Sequence, residues 1–267
     1  MIANFREAGT GPGVLCLHSN AATSSQWRGL MDSLAGSYRV IAADSLGAGK
    51  SPPWPTGREV TLADEAGLVA PLIDHGGGAV RVVGHSYGAA VALKLALMHP
   101  GRVRALALYE PTLFALLERD APGHPRIAGI RDAVHDSARA YARGEPEAGA
   151  ARFIDYWMGE GALASMPPPR REPVVAAVAN ATGWWHALSR EPASLESIAA
   201  LDIPVLIMQG GRTTEAARGV AEVLRATLPR VEQVDFPELG HMGPLTHPQL
   251  VNPVIAEFLA RTDAQGR

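Results

Sequence analysis

Short apolar runs recur along the chain, and segments of helical length separate most of them. Residues 14–17, 38–43, 80–83, 103–109, 205–208 and 231–236 each read as a strand. Most lack the alternation of period two that marks a half-exposed strand, as expected where both faces of a parallel sheet are covered. Residues 25–34, 62–74, 87–98, 215–227 and 249–260 read as helices. Thr61-Leu62-Ala63-Asp64 supplies a capping box for the second of these. The repeated strand-then-helix order implies a doubly wound α/β fold with right-handed crossovers. It also places active groups at the carboxyl ends of the strands.

The rhythm breaks between Pro111 and about Ala200, where Pro167-Pro168-Pro169, Gly159, Gly161 and the pair Trp184-Trp185 interrupt any strand pattern. Apolar clusters at 153–158 and 174–178 argue that this stretch packs against something. Residues 111–199 are therefore expected to form a helical cap inserted between core strands, with the core at 1–110 and 200–267.

Composition changes this picture little. The 267 residues are 47% hydrophobic and 19% charged with a formal net charge of −3. No basic surface asks for nucleic acid or an anionic membrane. Cys16 is the single cysteine and lies in Val14-Leu15-Cys16-Leu17. It excludes an internal disulfide or a cysteine-based zinc cluster and reads as a buried thiol. Residues 1–13 lack the apolar stretch of a secretory signal, and no run approaches the roughly 18 residues that span a bilayer. The expectation is a soluble cytoplasmic protein acting on a small molecule without a metal or organic cofactor. Its oligomeric state is left open.

The candidate chemistry begins at Gly84-His85-Ser86-Tyr87-Gly88, which follows one strand and opens a helix. A Gly-x-Ser-x-Gly pentapeptide in that setting is a nucleophile elbow, a turn so sharp that only glycine fits two residues either side of the serine. A serine hydroxyl needs a base to take its proton. Of nine histidines, His241 is the best placed, in the loop Leu239-Gly240-His241-Met242-Gly243-Pro244 that follows the last strand. His75, His99, His124 and His135 occupy helix ends or cap segments and read as surface residues.

A carboxylate must then hold the imidazole. In folds of this kind it usually follows the next-to-last strand, but Thr213 stands there, in Gln209-Gly210-Gly211-Arg212-Thr213-Thr214. Glu110 instead ends the apolar run 103–109 and is followed by Pro111, which stops the strand. An ionised glutamate there would be costly without a partner. Glu110 is the expected acid, with Glu215 its rival and Glu238 next. For an oxyanion hole, the backbone N–H of Tyr87 and one from Asn20 are the expected donors, with Ser19 the competitor. Asp44 reads as the anchor of a tight Gly-rich turn. The Gly47-Ala48-Gly49-Lys50-Ser51 spelling misses phosphate-loop spacing because position 44 is not glycine. Trp184, Trp185 and His186 could line an acyl pocket or belong to the core.

Taken in order, Leu17-His18-Ser19-Asn20, Asp44 to Ser51, Gly84 to Gly88, Ile203-Pro204-Val205-Leu206-Ile207 and Gly240-His241 resemble the serine-nucleophile branch of the α/β-hydrolase superfamily. The resemblance implies an eight-stranded, mostly parallel sheet with a helical cap after the sixth strand. Two departures stand out: His18-Ser19 replaces the usual His-Gly, and the acid is displaced from position 213. Related enzymes that place a glutamate after the sixth strand use an aspartate nucleophile, a chemistry that Ser86 excludes. Hydrolysis of a small carboxylic ester is the first expectation. Hydrolysis of a carbon–carbon bond, or a binding protein that has lost the chemistry, are the alternatives.

Overall fold

The structure is a computed structural model and describes residues 1–119, 123–192 and 194–265. Within the expected cap, 120–122 and 193 therefore lie outside the described residues. The sheet is made of β1 (Phe5–Ala8), β2 (Gly13–Leu17), β3 (Arg39–Ala43), β4 (Val80–His85), β5 (Val103–Tyr109), β6 (Val205–Gly210) and β7 (Val231–Phe236). Their spatial order is β1-β3-β2-β4-β5-β6-β7. Every neighbouring pair is parallel except β1 with β3.

The described residues thus hold seven strands where the resemblance implied eight. The count came from the family pattern, whereas the apolar runs of this chain mark only six. β1 adds a strand those runs do not show, because Phe5-Arg6-Glu7-Ala8 is a half-exposed edge with no apolar run to betray it.

Alternate residues of the central strands feed two hydrophobic layers. Leu15, Ile41, Val82, Leu106 and Ile207 face one side; Val14, Val40, Val83, Ala107 and Met208 face the other. The second layer is closed by helix α1 (Arg28–Leu34), entered through a turn of 3₁₀ helix at Ser24–Trp27 instead of as one helix from residue 25. The expected helix at 62–74 divides into α2 (Leu62–Val69) and α3 (Pro71–His75). Pro71 has no N–H to continue the ladder and stands as the first residue of the new helix. Thr61 and Asp64 do form the capping box. Helix α4 (Tyr87–Met98) follows β4 and is buried along most of its length.

Among the described residues, six α-helices separate β5 from β6: α5 (Ala115–Glu118), α6 (Ala128–Ala142), α7 (Pro146–Met158), α8 (Pro168–Val178), α9 (Ala181–Ser189) and α10 (Leu195–Ala199). Phe114, Ile130, Phe153 and Trp184 from this segment join the first hydrophobic layer. Ion pairs stitch its margins to the rest, Lys94 to Glu191 at 2.7 Å and Arg190 to Glu59 at 2.8 Å. The chain finishes with α11 (Glu215–Thr227), α12 (Gly243–Thr246) and α13 (Pro248–Gln265). Among the described residues no helix is long and apolar enough to cross a membrane.

Candidate active site

Parallel register brings the carboxyl ends of β4, β5 and β6 into line, with His85 opposite Tyr109 and Tyr109 opposite Met208. The residues that follow them, Ser86, Glu110 and the loop after Gly210, therefore share one edge. Ser86 joins β4 to α4 with φ 55° and ψ −117°. A non-glycine residue rarely sits there, and such strain concentrates at functional sites. The turn closes because its flanks lack side chains. A Cβ on Gly84 would lie 2.6 Å from Ala89 Cα, and one on Gly88 would lie 2.4 Å from the Leu17 carbonyl oxygen. The Ser86 N–H is anchored on the Tyr109 carbonyl at 2.9 Å.

The Ser86 Oγ lies 2.9 Å from His241 Nε2, and His241 Nδ1 lies 2.6 Å from Glu110 Oε2. All three are buried, with relative exposures of 5%, 2% and 0% in that order. Glu110 also has a positive φ, 44°, which swings its side chain across the strand end. Its carboxylate accepts the Gly210 N–H at 2.7 Å and the Thr213 hydroxyl, besides the imidazole. Three donors offset the cost of burying a carboxylate. Thr213, at the position where an aspartate was sought, donates its hydroxyl to the Glu110 carboxylate. Glu215 sits exposed at the start of α11 beside Arg218 and Arg126, and Glu238 pairs with Arg212. Neither approaches the imidazole.

The loop that carries His241 is tied down through two of its carbonyls. Tyr109 Oη donates to the Gly240 carbonyl at 2.9 Å, and His85 Nε2 donates to that of His241 at 2.8 Å. His85 Nδ1 accepts from Gln26 Nε2 at 3.1 Å, which fixes its tautomer. Burial holds the His85 imidazole well below its ordinary pKa, so it stays neutral. Gln26 Oε1 accepts the N–H and hydroxyl of Ser19, both at 3.1 Å. A continuous polar chain thus connects the 18–21 loop with the His241 loop. The sequence reading missed Gln26 and the supporting part of His85; the only signal was that both fall near motifs already singled out.

Asn20 and Ser86 line the same cavity, while the Ser19 N–H is already spent on Gln26. Tyr87 opens α4 directly after Ser86, and its ring turns away to Glu65, 3.2 Å from hydroxyl to carboxylate. His18 spans Ser19 and Ser45, donating from Nδ1 to the Ser19 carbonyl at 2.7 Å and accepting the Ser45 N–H on Nε2 at 3.0 Å. Burial lowers its pKa, consistent with that neutral bridging role. Asp44 anchors the turn expected of it, accepting the Ser24 N–H and the Asn4 amide at 2.7 Å each and the Lys50 N–H at 3.3 Å. Burial alone would raise its carboxyl, but these hydrogen bonds outweigh it and leave the pKa below the ordinary value. Cys16 is fully buried, and its thiol is pushed far above the usual range.

Above the serine opens a cavity of about 510 Å³ with mostly apolar walls. Phe153, Trp157, Trp184 and Trp185 from the inserted helices line it, opposite Ser86 and His241. His186 does not; it turns to Glu59 at 3.1 Å. Of the histidines assigned to the surface, His75 and His135 are exposed, and His99 and His124 are half-buried.

A family model described as the alpha/beta hydrolase fold matches residues 12–248. The chain belongs to the α/β-hydrolase family. Among curated α/β-hydrolase relatives, lipase LipV of Mycobacterium tuberculosis is 30% identical over 92% of this chain and 92% of its own length. The 2-hydroxymuconate semialdehyde hydrolase of a Pseudomonas species is 27% identical over 98% of this chain and 91% of its own. Among solved structures, a thermophilic esterase from Thermogutta terrifontis superimposes with a TM-score of 0.76 at 25% identity. That match covers 97% of this chain and 93% of that one. The chain is thus a hydrolase-family enzyme.

Proposed function

We propose that this protein is a serine hydrolase that cleaves a small carboxylic ester through an acyl-enzyme on Ser86. The observation that carries the reading is the unbroken chain from Ser86 Oγ through His241 to Glu110, set in an apolar cavity. In this scheme Ser86 Oγ attacks the ester carbonyl carbon while its proton passes to His241 Nε2. Glu110 holds Nδ1–H and steadies the imidazolium. The carbonyl oxygen, now negative, receives N–H groups from Tyr87 at the α4 start and from Asn20. Collapse breaks the bond to the alcohol, which leaves with the proton from Nε2. Water then attacks the acyl-Ser86 ester, returning a proton through His241 to Ser86 Oγ and releasing the carboxylic acid.

The helices between β5 and β6 act as a cap whose aromatic wall receives the acyl chain. The Mycobacterium lipase and the Thermogutta esterase support the ester reading. The likeness to the muconate semialdehyde hydrolase over nearly the full chain favours a second reading, hydrolysis of a carbon–carbon bond with the same three residues. A fluorophosphonate probe should label wild-type protein at Ser86. p-Nitrophenyl esters of graded chain length, run beside a vinylogous diketone, then separate the two readings. Turnover of the diketone alone would replace the first reading by the second. Absence of both label and turnover would make the protein a non-catalytic relative.

A further inference from the structure

One contact between the inserted helices and the base plays no part in the scheme above. The indole of Trp157, at the end of α7, lies stacked on the imidazole of His241, with ring centroids 4.0 Å apart and planes 25° from parallel. The preceding residue braces it, since the Tyr156 ring stands edge-on to Trp157 at 4.9 Å and 81°. The Tyr156 hydroxyl faces Thr214, the cap of α11. Thr214 directly follows Thr213, which donates to Glu110. A single dipeptide of α7 therefore touches the imidazole itself and the residue next to the carboxylate's support.

The terminal torsion of a histidine side chain is broad and poorly restrained. Yet both ring nitrogens of His241 must stay in line, one with Ser86 and one with Glu110. Its hydrogen bonds fix only the ring edges. A flat aromatic partner fixes the plane, and the negative face of an indole attracts a cationic ring more than a neutral one. That second effect exists only while the imidazole is protonated, during acyl transfer, so it belongs to the barrier and not to substrate binding.

We propose that Trp157, braced by Tyr156, is a positioning residue for His241, holding the plane of the imidazole and stabilising its protonated form. The geometric half stands by itself, and the catalytic half rests on the serine-hydrolase reading.

The test joins kinetics on p-nitrophenyl acetate with tryptophan emission. Trp157→Leu should lower kcat about tenfold, the size expected of losing one aromatic pair, and leave KM within about twofold. Trp157→Phe keeps a flat partner and should recover most of the loss. Protonated imidazole in contact with an indole quenches its fluorescence. At acid pH the wild type should therefore be dimmer than His241→Gln, a difference absent when both carry Trp157→Phe. His241 faces Glu110 from the end of β5 and His85 from the end of β4, the latter ring at 5.3 Å. The comparison of wild type with His241→Gln keeps Trp157 intact, so it stands should the Trp157 variants fold poorly. A quench that persists in His241→Gln overturns the proposal, as does a Trp157→Leu enzyme that changes KM alone or nothing. A His241-dependent quench in a protein without ester turnover would support the stacking and sink the esterase reading instead.

Discussion

The two walls of the cavity are built on different physical terms. The floor, at the sheet edge, is polar and densely hydrogen-bonded. Glu110 has three donors, and the His241 loop is held through two carbonyls. The roof, from the inserted helices, offers aromatic and aliphatic surface, and the ion pairs that tie it to Lys94 and Glu59 lie at its margins. A hydrogen bond is lost over a few tenths of an ångström and costs most when its partner stays buried and unpaired. Apolar contact is non-directional and degrades gradually with volume. On the proposed reading, chemistry therefore belongs to the floor and choice of substrate to the roof.

The sharpest way to break that division is at the floor. Ser86→Ala should abolish both ester turnover and fluorophosphonate labelling, a loss of roughly 10⁴–10⁶ in kcat, with the fold intact by circular dichroism. Activity close to wild type in this variant would remove the central assignment. Glu110→Gln comes next. It keeps the shape, removes the charge and upsets the tautomer of His241, so turnover should fall by about 10⁴. Glu215→Gln, at an exposed helix start, should change turnover less than twofold. If the two variants exchanged these effects, the carboxylate would have been assigned to the wrong strand end.

A third test probes the floor from beneath. Glu65 is buried under Tyr87 and accepts the Leu46 N–H at 3.1 Å besides the Tyr87 hydroxyl. Burial pushes its carboxyl up from 4.5 to about 7. Because the folded pKa exceeds the unfolded one, the folded state binds the proton more tightly. The associated stability is fully present below pH 4.5 and is lost as pH rises through about 7. Glu65→Gln should remove that dependence, so that its melting temperature gains on the wild type across this window. The gain should correspond to a few kcal/mol at most. Parallel melting curves for the two proteins would show that the carboxyl is not titrating there.

How far the site could be read in advance follows the same division. The elbow was legible because its glycines answer a local steric demand visible as Gly84 and Gly88. The placement of Glu110 beside His241 was legible because an ionisable residue closing a wholly apolar strand needs a partner. Thr213 was read as a gap, since nothing in a single sequence tells a missing acid from a hydroxyl that serves one elsewhere. β1 escaped because a charged edge strand carries no apolar run, and its pairing with β3 comes entirely from tertiary contact. Pro71 was visible, but the apolar spacing on either side masked the break it makes. Gln26, His85 and Trp157 act through partners 59, 156 and 84 residues distant (Gln26–His85, His85–His241 and Trp157–His241), which no local pattern encodes.

The smallest effect sharpens the comparison most, because it separates the two parts the roof's own residues play. Trp184 and Trp185 are neighbours on α9, and both line the cavity. Trp184 is buried with its ring 6.0 Å from that of Phe153, so it belongs to the core as well. Trp185 is half-buried and leans on Phe114 at 5.7 Å. Removing Trp184 should open a void in packed surroundings and cost about 3–5 kcal/mol of stability, read as a lowered urea midpoint. Removing Trp185 should cost less and enlarge the space available to an acyl chain. A methylene buried in a hydrophobic pocket is worth about 1 kcal/mol or more in selectivity. Trp185→Ala should therefore shift the preference for longer p-nitrophenyl esters over the acetate several-fold, while the acetate rate stays close to wild type. An unchanged chain-length profile in folded Trp185→Ala would mean that the residue only packs the core, and that the selective wall lies elsewhere on the roof. A collapse of the acetate rate itself would mean that the roof positions the floor through this residue too, and the division between the two walls would have to be redrawn.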